Sequence, residues 1–437
     1  MHLILGFGAT GASFLRYLRR KGIPFLIMDS RIEPPGLLEF KEIDKKKLCL
    51  GRFDTSILKK VKKILVSPGI EFENEVLVKA RRVGIEILTD IEVFLEESKS
   101  TKVLVSGTNG KTSVVSMAGH VLSKIYRDKK IICCGNIGKP VLDVLFEEHS
   151  LSVIEVSSFH LEHSNNLLSE VAVLLNVDQD HLDRHHSIKN YRSIKEKILY
   201  GCNIGLKGDN SIRPNTHNKN KIFNFLDLLD PLKKEIDQSL ENKWPYHEKL
   251  NIKAVLSIVL ALEATKRKER LNDLVKTESD LIKKCLDSLH SFKRLEHRFE
   301  VLGVRNGLTY INDSKSTNIS SLLTALNSTE KLYGKNRTLL ICGGDAKGQD
   351  FSRIKPSSIE SIKKVFIFGK DKEEISKEMN KKVECITSED LQDALNKSRS
   401  FSSKGDVVLL SPSCSSTDMF SDYIDRGNKF RELSGFS

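Results

Sequence analysis

No two cysteines in this 437-residue chain stand in a C-x-x-C arrangement. The eight cysteines are scattered, and Cys133 and Cys134 are directly adjacent, so neither a zinc site nor a disulfide framework is indicated and a reducing compartment is expected. Long apolar runs are missing too. The longest, from Ala254 to Leu262, falls far short of the ~20 residues a membrane span needs. Met1 leads straight into Leu3-Ile4-Leu5, with no basic stretch and apolar core of a signal peptide ahead of it, so the expected location is the cytoplasm, with no membrane partner. Aromatic residues do not interleave with the lysines, which occur in short groups such as Lys45 to Lys47. The net charge of +12 is therefore read first as a solvated surface and second as an attraction for small anions, with no nucleic-acid partner expected. A repeat at a fixed short period is also absent.

What is present suits a folded, multi-domain protein. Hydrophobic residues at 39% and charged residues at 29% lie within the globular range, and the length fits two to three domains of roughly 100 to 200 residues. The opening reads as a strand (Leu3 to Leu5), a glycine turn, a helix from about Ser13 to Lys21 and a strand from Phe25 to Met28, the first β-α-β of a doubly wound sheet. A second unit ends at Ile64-Leu65-Val66 before Ser67-Pro68-Gly69. After a helix-like Ile91 to Glu97, the polar stretch Ser98 to Lys102 reads as a linker, and a new strand, Val103 to Ser106, begins beyond it. Further strands are expected at Val153 to Val156, Val171 to Val177, Leu308 to Ile311, Thr338 to Cys342, Val365 to Phe368 and Val407 to Leu410. Residues 205 to 245 have weak periodicity and receive no assignment.

Two glycine loops follow strands. Gly6-Phe7-Gly8-Ala9-Thr10-Gly11 satisfies G-x-G-x-x-G, and Asp29 ends the next strand about 20 residues on. The physics specifies only a pyrophosphate on a helix N-terminus, so a nicotinamide or flavin cofactor, another diphosphate, and a merely tight turn all remain open, the first being preferred on the motif alone. The second loop, Ser106-Gly107-Thr108-Asn109-Gly110-Lys111-Thr112, precedes an apolar helix. Its backbone N–H groups can wrap a phosphate, Lys111 can reach the terminal phosphates and the Thr112 hydroxyl can bind Mg²⁺. Val105 stands where the strict pattern has a first glycine.

Glu155 and the Asp180-His181 pair lie at strand ends in the same section, where a carboxylate and an imidazole can complete a metal pair beside a nucleotide; each alone is more often a solvated loop residue. In the helix from Ile188 to Leu199, Lys195 falls on the apolar face with Ile188, Tyr191, Ile194 and Ile198. Spacing alone favours a snorkelling stem there. The other reading is a desolvated amine that captures CO₂ as a carbamate and becomes an anionic metal ligand. Three polar segments at strand ends form a plausible rim for an amino-acid substrate: Asp313 to Asn318, Gly343 to Gly348 and Ser411 to Ser416. Cys414 has no nearby base and is read as inert.

Taken in order, these segments resemble the Mur ligase family nearly end to end. They are G-F-G-A-T-G, M-D-S-R with P-P-G-L from Met28, S-P-G at Ser67, G-T-N-G-K-T at Gly107, G-N-I-G at Gly135, E-V-S-S-F-H-L-E at Glu155, D-H-L-D-R-H at Asp180, H-R-F-E at His297, N-D-S-K-S-T-N at Asn312, G-G-D-A-K-G at Gly343, S-P-S-C-S-S at Ser411 and R-G-N-K-F at Arg426. The resemblance implies an α/β protein of three domains: an N-terminal Rossmann-like domain for a UDP substrate (1–97), a central P-loop ATPase-type α/β domain (98–297) and a C-terminal Rossmann-like α/β domain for the amino acid (298–437). It implies a cytoplasmic, monomeric enzyme of peptidoglycan precursor synthesis, which joins D-glutamate to UDP-N-acetylmuramoyl-L-alanine at the expense of ATP, with two Mg²⁺ ions.

The same resemblance places Asp29 and Ser30 at the uracil, and Ala9, Thr10, Gly69 and Asn136 along the diphosphate sugar, in preference to a nicotinamide. Gly107, Thr108, Asn109, Gly110, Lys111, Thr112 and Ser113 would hold the ATP phosphates, and Asn251, Arg298 and Asp313 its base and ribose. Thr317, Lys347 and Ser416 would meet D-glutamate, and Lys315 the acyl phosphate. Lys195 matches a carbamylated lysine, which with His181 would hold one Mg²⁺, while Thr112 and Glu155 would hold the other. Glu248 stands where Asn is usual, Tyr423 where Phe is common, and residues 201 to 245 look shortened. Other possibilities are a sibling ligase for another amino acid or a folylpolyglutamate synthase, against which M-D-S-R and P-P-G-L argue. From other classes, an NAD-dependent oxidoreductase would leave the phosphate loop and Glu155 idle, and a nucleic-acid-binding NTPase would show steeply salt-dependent binding.

Overall fold

A computed structural model describes residues 1–215, 221–241 and 244–436. Within it, apolar runs become the buried strands of three sheets. The first contains β1 (His2–Leu5), β2 (Phe25–Asp29), β3 (Leu48–Leu50), β4 (Lys63–Val66) and β5 (Glu86–Leu88), all parallel in the order β3-β2-β1-β4-β5. Leu3, Ile4 and Leu5 are fully buried, the continuous apolar pattern of a parallel strand covered on both faces. The chain proceeds outward from β1 in one direction and then from β4 in the other, so the reversal lies between these two strands. In open α/β sheets that crevice, beyond the strand C-termini, is where ligands bind.

The first helix spans Ala9–Arg20, four residues earlier than its periodicity predicts. The glycines explain the difference. Gly6 has φ +88°, and a Cβ on Gly11 would lie 2.2 Å from the Gly6 carbonyl oxygen, so only the three-residue turn Gly6-Phe7-Gly8 separates β1 from the helix, which packs closely against it.

The second sheet holds β6 (Thr101–Ser106), β7 (Ile131–Gly135), β8 (Leu151–Glu155), β9 (Ser169–Leu174), β10 (Cys202–Lys207) and β11 (Ile222–Asn224), parallel in the order β11-β10-β9-β6-β8-β7. The expected linker from Ser98 to Lys102 is corrected here. β6 already begins at Thr101, and Ser98 and Ser100 are buried, their hydroxyls 2.9 Å apart, with Ser152 2.8 Å from Ser100. These short polar side chains satisfy one another, so polarity did not mean exposure. β9 ends at Leu174, three residues before the expected Val177. The unassigned region contains β10, β11 and helices Phe225–Leu228 and Lys233–Leu240, while its residues 216–220 and 242–243 lie outside the described ones.

The third sheet comprises β12 (Glu300–Arg305), β13 (Leu308–Asn312), β14 (Thr338–Gly343), β15 (Ile362–Phe368), β16 (Cys385–Thr387) and β17 (Val407–Leu410), in the order β12-β13-β17-β14-β15-β16. Only β12 runs antiparallel. It is joined to β13 by Asn306-Gly307, both at positive φ, the dipeptide that suits a two-residue hairpin turn.

By compactness the chain forms two units. One is Met1–Val177, Arg184–Ser239 and Asn251–Ser291, carrying the first two sheets; the other is Asp178–Asp183, Leu240–Leu250 and Phe292–Ser437, carrying the third. The Ala254 to Leu262 run is buried within the helix Tyr246–Arg267. Among the described residues no helix is long and apolar enough to cross a membrane.

Candidate active site

In the first unit the glycine loop after β6 is held from the end of the neighbouring strand β9. The Thr108 N–H donates to the Asn176 carbonyl (3.0 Å), and the Asn176 side chain accepts from the Asn109 N–H (2.9 Å) and donates to the Asn109 carbonyl (3.2 Å). Asn176 lies just beyond β9, which pairs with β6. Gly110, at φ +85°, ends the loop and opens the helix Lys111–Ile125. A Cβ at Gly110 would sit 2.6 Å from Asn251 Oδ1, so this position needs glycine for both its conformation and its space. The Lys111 ammonium donates to the carbonyls of Gly107 (2.8 Å) and Thr108 (2.9 Å). Thr112 and Ser113 follow in the first helical turn, half-buried, at the end of the helix where free N–H groups and the helix dipole favour an anion.

On the other side of β6, Glu155 ends β8 in register with Val105. Its carboxylate is 2% exposed. One oxygen accepts from the Asn136 amide at 2.8 Å, while Oε2 has no hydrogen-bond partner among the described residues. An unsatisfied buried carboxylate oxygen is costly unless something pairs with it, and an oxygen ligand of this kind fits a hard cation such as Mg²⁺.

Lys195 overturns the snorkelling expectation. On the helix Ile188–Glu196 its side chain is 1% exposed, its Nζ donates to the Gly107 carbonyl at 2.8 Å, and it lies 4.8 Å from the Tyr191 ring centroid. A snorkelling lysine carries its head group to water; this one directs its nitrogen inward to the glycine loop.

At the crevice of the first sheet, the Ser67 hydroxyl donates to the Gly6 carbonyl (2.8 Å), tying the loops after β1 and β4 together. Asp29 accepts from the Phe7 N–H (2.7 Å) and from the Arg31 backbone and guanidinium. Burial works against its charge, but Arg31 and the two backbone donors outweigh it and hold the carboxyl below its ordinary range. Ala9 and Thr10 open the first helix; Ser30, Gly69 and Asn136 are exposed on loops beyond strand C-termini.

In the second unit, Asp313, Ser411 and Gly343 end or follow three adjoining strands. Asp313 is buried, accepting from the Phe299 N–H (3.0 Å) and the Ser411 hydroxyl (2.9 Å). Burial pushes its carboxyl up to about 7, against the opposing pull of those two bonds, Arg298 and Arg426. The folded state thus binds this proton more tightly than the unfolded chain, so its stabilisation is complete below the ordinary carboxylate pKa and is lost as pH rises through about 7. Asp313→Asn is therefore expected to gain stability relative to the native protein between pH 4 and pH 8, measured by urea unfolding; a constant difference would contradict it.

A cavity of about 930 Å³ in this unit brings His181, Thr317 and Lys347 together with Ser415 of the third polar segment and with Arg353, which the sequence did not single out. His181, at φ +52°, lies beside Asp180, whose carboxylate accepts from Asn318 at 3.0 Å. Ser416 is buried next to the cavity wall and is not part of it. Arg298 is half-buried just before β12. The Lys315 ammonium sits 3.9 Å from the Tyr423 ring centroid.

These sites can be compared with known proteins. Three family models match in order: the Mur ligase MurD-like N-terminal domain at residues 1–89, the Mur ligase middle domain at 105–223 and the Mur ligase glutamate ligase domain at 297–414. A Hahella chejuensis protein named UDP-N-acetylmuramoylalanine--D-glutamate ligase is 32% identical over 98% of this chain and 96% of its own. A Buchnera aphidicola protein of the same name is 35% identical over 99% and 97%. The chain belongs to the Mur ligase family. Among solved structures, UDP-N-acetylmuramate-alanine ligase of Thermotoga maritima matches at TM-score 0.53 and 16% identity, covering 99% of this chain and 98% of that one; this likeness supports the three-domain α/β fold.

For this Mur ligase, the sequence assigns no role to three residues around the sites. Asn176 has no local motif; only the placement of β9 beside β6 brings it to the loop. The Tyr191 hydroxyl lies 3.3 Å from Thr108 Oγ1, and its ring flanks Lys195, although its spacing marked it only as core. Arg426 is fully buried and binds the Ser314 and Cys414 carbonyls, joining two of the three polar loops. Burial lowers its guanidinium to about 10 and raises the Cys414 thiol to about 12, in keeping with an inert cysteine. Glu248 is buried, 3.3 Å from Arg294 Nε, and burial pushes its carboxyl up to about 7 against that arginine.

Proposed function

We propose that this Mur ligase uses ATP to join D-glutamate to UDP-N-acetylmuramoyl-L-alanine, in the cytoplasmic synthesis of peptidoglycan precursors. The observation carrying the reading is the glycine loop after β6, clamped by Asn176, with Lys111 and the buried Lys195 both on the Gly107 carbonyl. The names of the full-length relatives supply the substrates.

The L-alanyl carboxylate attacks the γ-phosphorus of ATP, the bond to the β,γ-bridging oxygen breaks, and ADP leaves. An ionised carboxylate is a poor electrophile, so this activation comes first. The neutral amine of D-glutamate then attacks the acyl carbon, a tetrahedral intermediate forms, and the carbon–oxygen bond to phosphate breaks as the nitrogen loses its proton. Gly107 to Ser113 hold the phosphates with their N–H groups, and Lys111 offsets charge on the transferring group. Thr112, Glu155, His181 and Lys195, the last as a carbamate, are the proposed holders of two Mg²⁺ ions. Bound there, the ions would supply further neutralisation of phosphate charge.

Asn251, Arg298 and Asp313 are assigned to the adenosine, and Thr317, Lys347 and Ser416 to D-glutamate. Lys315 is assigned to the acyl phosphate. Ala9, Thr10, Asp29, Ser30, Gly69 and Asn136 are assigned to the UDP-bearing substrate. The domain bounds follow at 1–97, 98–297 and 298–437. The enzyme acts as a monomer with small-molecule substrates, without nucleic acid or membrane.

Phosphate release from ATP should require both UDP-N-acetylmuramoyl-L-alanine and D-glutamate. Equal release with L-glutamate or another amino acid would reject the substrate assignment.

A further inference from the structure

Arg184 has no place among the residues assigned so far. Its side chain, 15% exposed, directs Nε and Nη2 onto one oxygen of Glu162, at 3.0 and 2.6 Å. The same guanidinium donates to two backbone carbonyls of the loop after β4, Ile70 (2.5 Å) and Gly69 (3.3 Å), and its plane lies over the Phe159 ring, 4.8 Å from the centroid. His163 Nε2 also donates to the Ile70 carbonyl, at 2.8 Å. Two side chains thus converge on one short stretch of main chain.

The support beneath them is built as well. Glu162 and His163 belong to the helix Ser158–His163, and Lys197 donates to the carbonyls of Leu161, Glu162 and Ser164 at its C-terminal end. The loop they hold is the one whose Ser67 reaches across the crevice to Gly6. Gly69 itself is exposed. A planar guanidinium fork can satisfy a carboxylate and two carbonyls together, which a lysine ammonium at the same place cannot do with the same geometry.

We propose that Arg184, with Glu162 as its counter-charge, is a positioning residue for the UDP-bearing substrate: it fixes the Ser67 to Ile70 loop so that Gly69 faces the diphosphate sugar. The inference rests on the function proposed above, which assigns Gly69 to that substrate. A purely structural ion pair would make the whole unit less stable and affect every ligand of that unit alike. A loop-positioning role acts on one substrate.

The test is steady-state kinetics of Arg184→Ala, Arg184→Lys and Glu162→Gln, with thermal melting of each. Arg184→Ala should raise KM for UDP-N-acetylmuramoyl-L-alanine about tenfold or more, leaving KM for ATP and D-glutamate within about twofold. Arg184→Lys and Glu162→Gln should fall between Arg184→Ala and the native enzyme, and they carry the test if the alanine variant does not fold. The idea is overturned if folded variants raise all three KM values together, or lower only the melting temperature. Calorimetric titration with UDP-N-acetylmuramoyl-L-alanine separates the two levels. No binding by the native protein rejects the proposed function, whereas equal binding by native protein and Arg184→Ala rejects the positioning role alone.

Discussion

Replacing Lys111 with alanine is expected to slow ligation roughly a thousandfold or more, a loss of ~4 kcal/mol in transition-state stabilisation. The magnitude follows from where charge moves. As phosphoryl transfer proceeds, negative charge builds on the bridging and terminal phosphate oxygens, and a preorganised ammonium at the loop is one of the few groups this chain can aim at it. The Lys111 ammonium is already fixed by the Gly107 and Thr108 carbonyls, so little reorganisation is needed. Removing it also deletes those two hydrogen bonds, each worth about 1 kcal/mol net, so the melting temperature should fall by only a few degrees. The decisive pair of measurements is turnover, by phosphate release, and thermal melting on the same preparation. Near-native ligation by Lys111→Ala would remove the loop from the mechanism.

For Lys195 the expected loss is of similar size, and its chemical origin is open to a sharper test. An amine buried to 1% exposure against a loop carbonyl has two possible uses: as a cation, or, once deprotonated and joined to CO₂, as an anion. The two uses predict opposite behaviour for Lys195→Arg. Arginine keeps the positive charge and cannot form the carbamate at ordinary pH, so the carbamate role predicts an inactive arginine variant. Lys195→Ala should lose roughly a thousandfold in kcat, on the scale of removing a group that organises charge at a phosphoryl-transfer site. Added formate or acetate should restore part of that activity by replacing the missing carboxylate. An active arginine variant, or an alanine variant that small carboxylates do not help, would count against the carbamate.

Local chemistry carried much of this protein's description. The strand-to-helix glycine loops were legible because a close backbone turn and a phosphate cradle both demand glycine at fixed offsets, as Gly11 and Gly110 show in their contacts. The buried parallel strands were legible as unbroken apolar runs. The errors also have physical causes. Ser98 to Lys102 reads as a linker because serine is usually solvated, whereas the partner of the Ser100 hydroxyl, Ser152, lies 52 residues away in sequence. Lys195 was read as snorkelling because periodicity reports which face a residue occupies and says nothing about what that face meets.

The ordered motifs, and with them the family, were determined by the sequence alone, since each motif is set by local backbone geometry and by which atoms a phosphate or a carboxylate can accept. Strand order and register were decided only by the tertiary structure. Placing β9 and β8 on either side of β6 brings Asn176 and Glu155 to the same loop end, and placing β4 beside β1 brings Ser67 to Gly6. The grip of Arg184 on Gly69 and Ile70 spans more than a hundred residues of chain. Such contacts carry no local signal, because they form only after loop-closure entropy has been offset by burial of the strands between them.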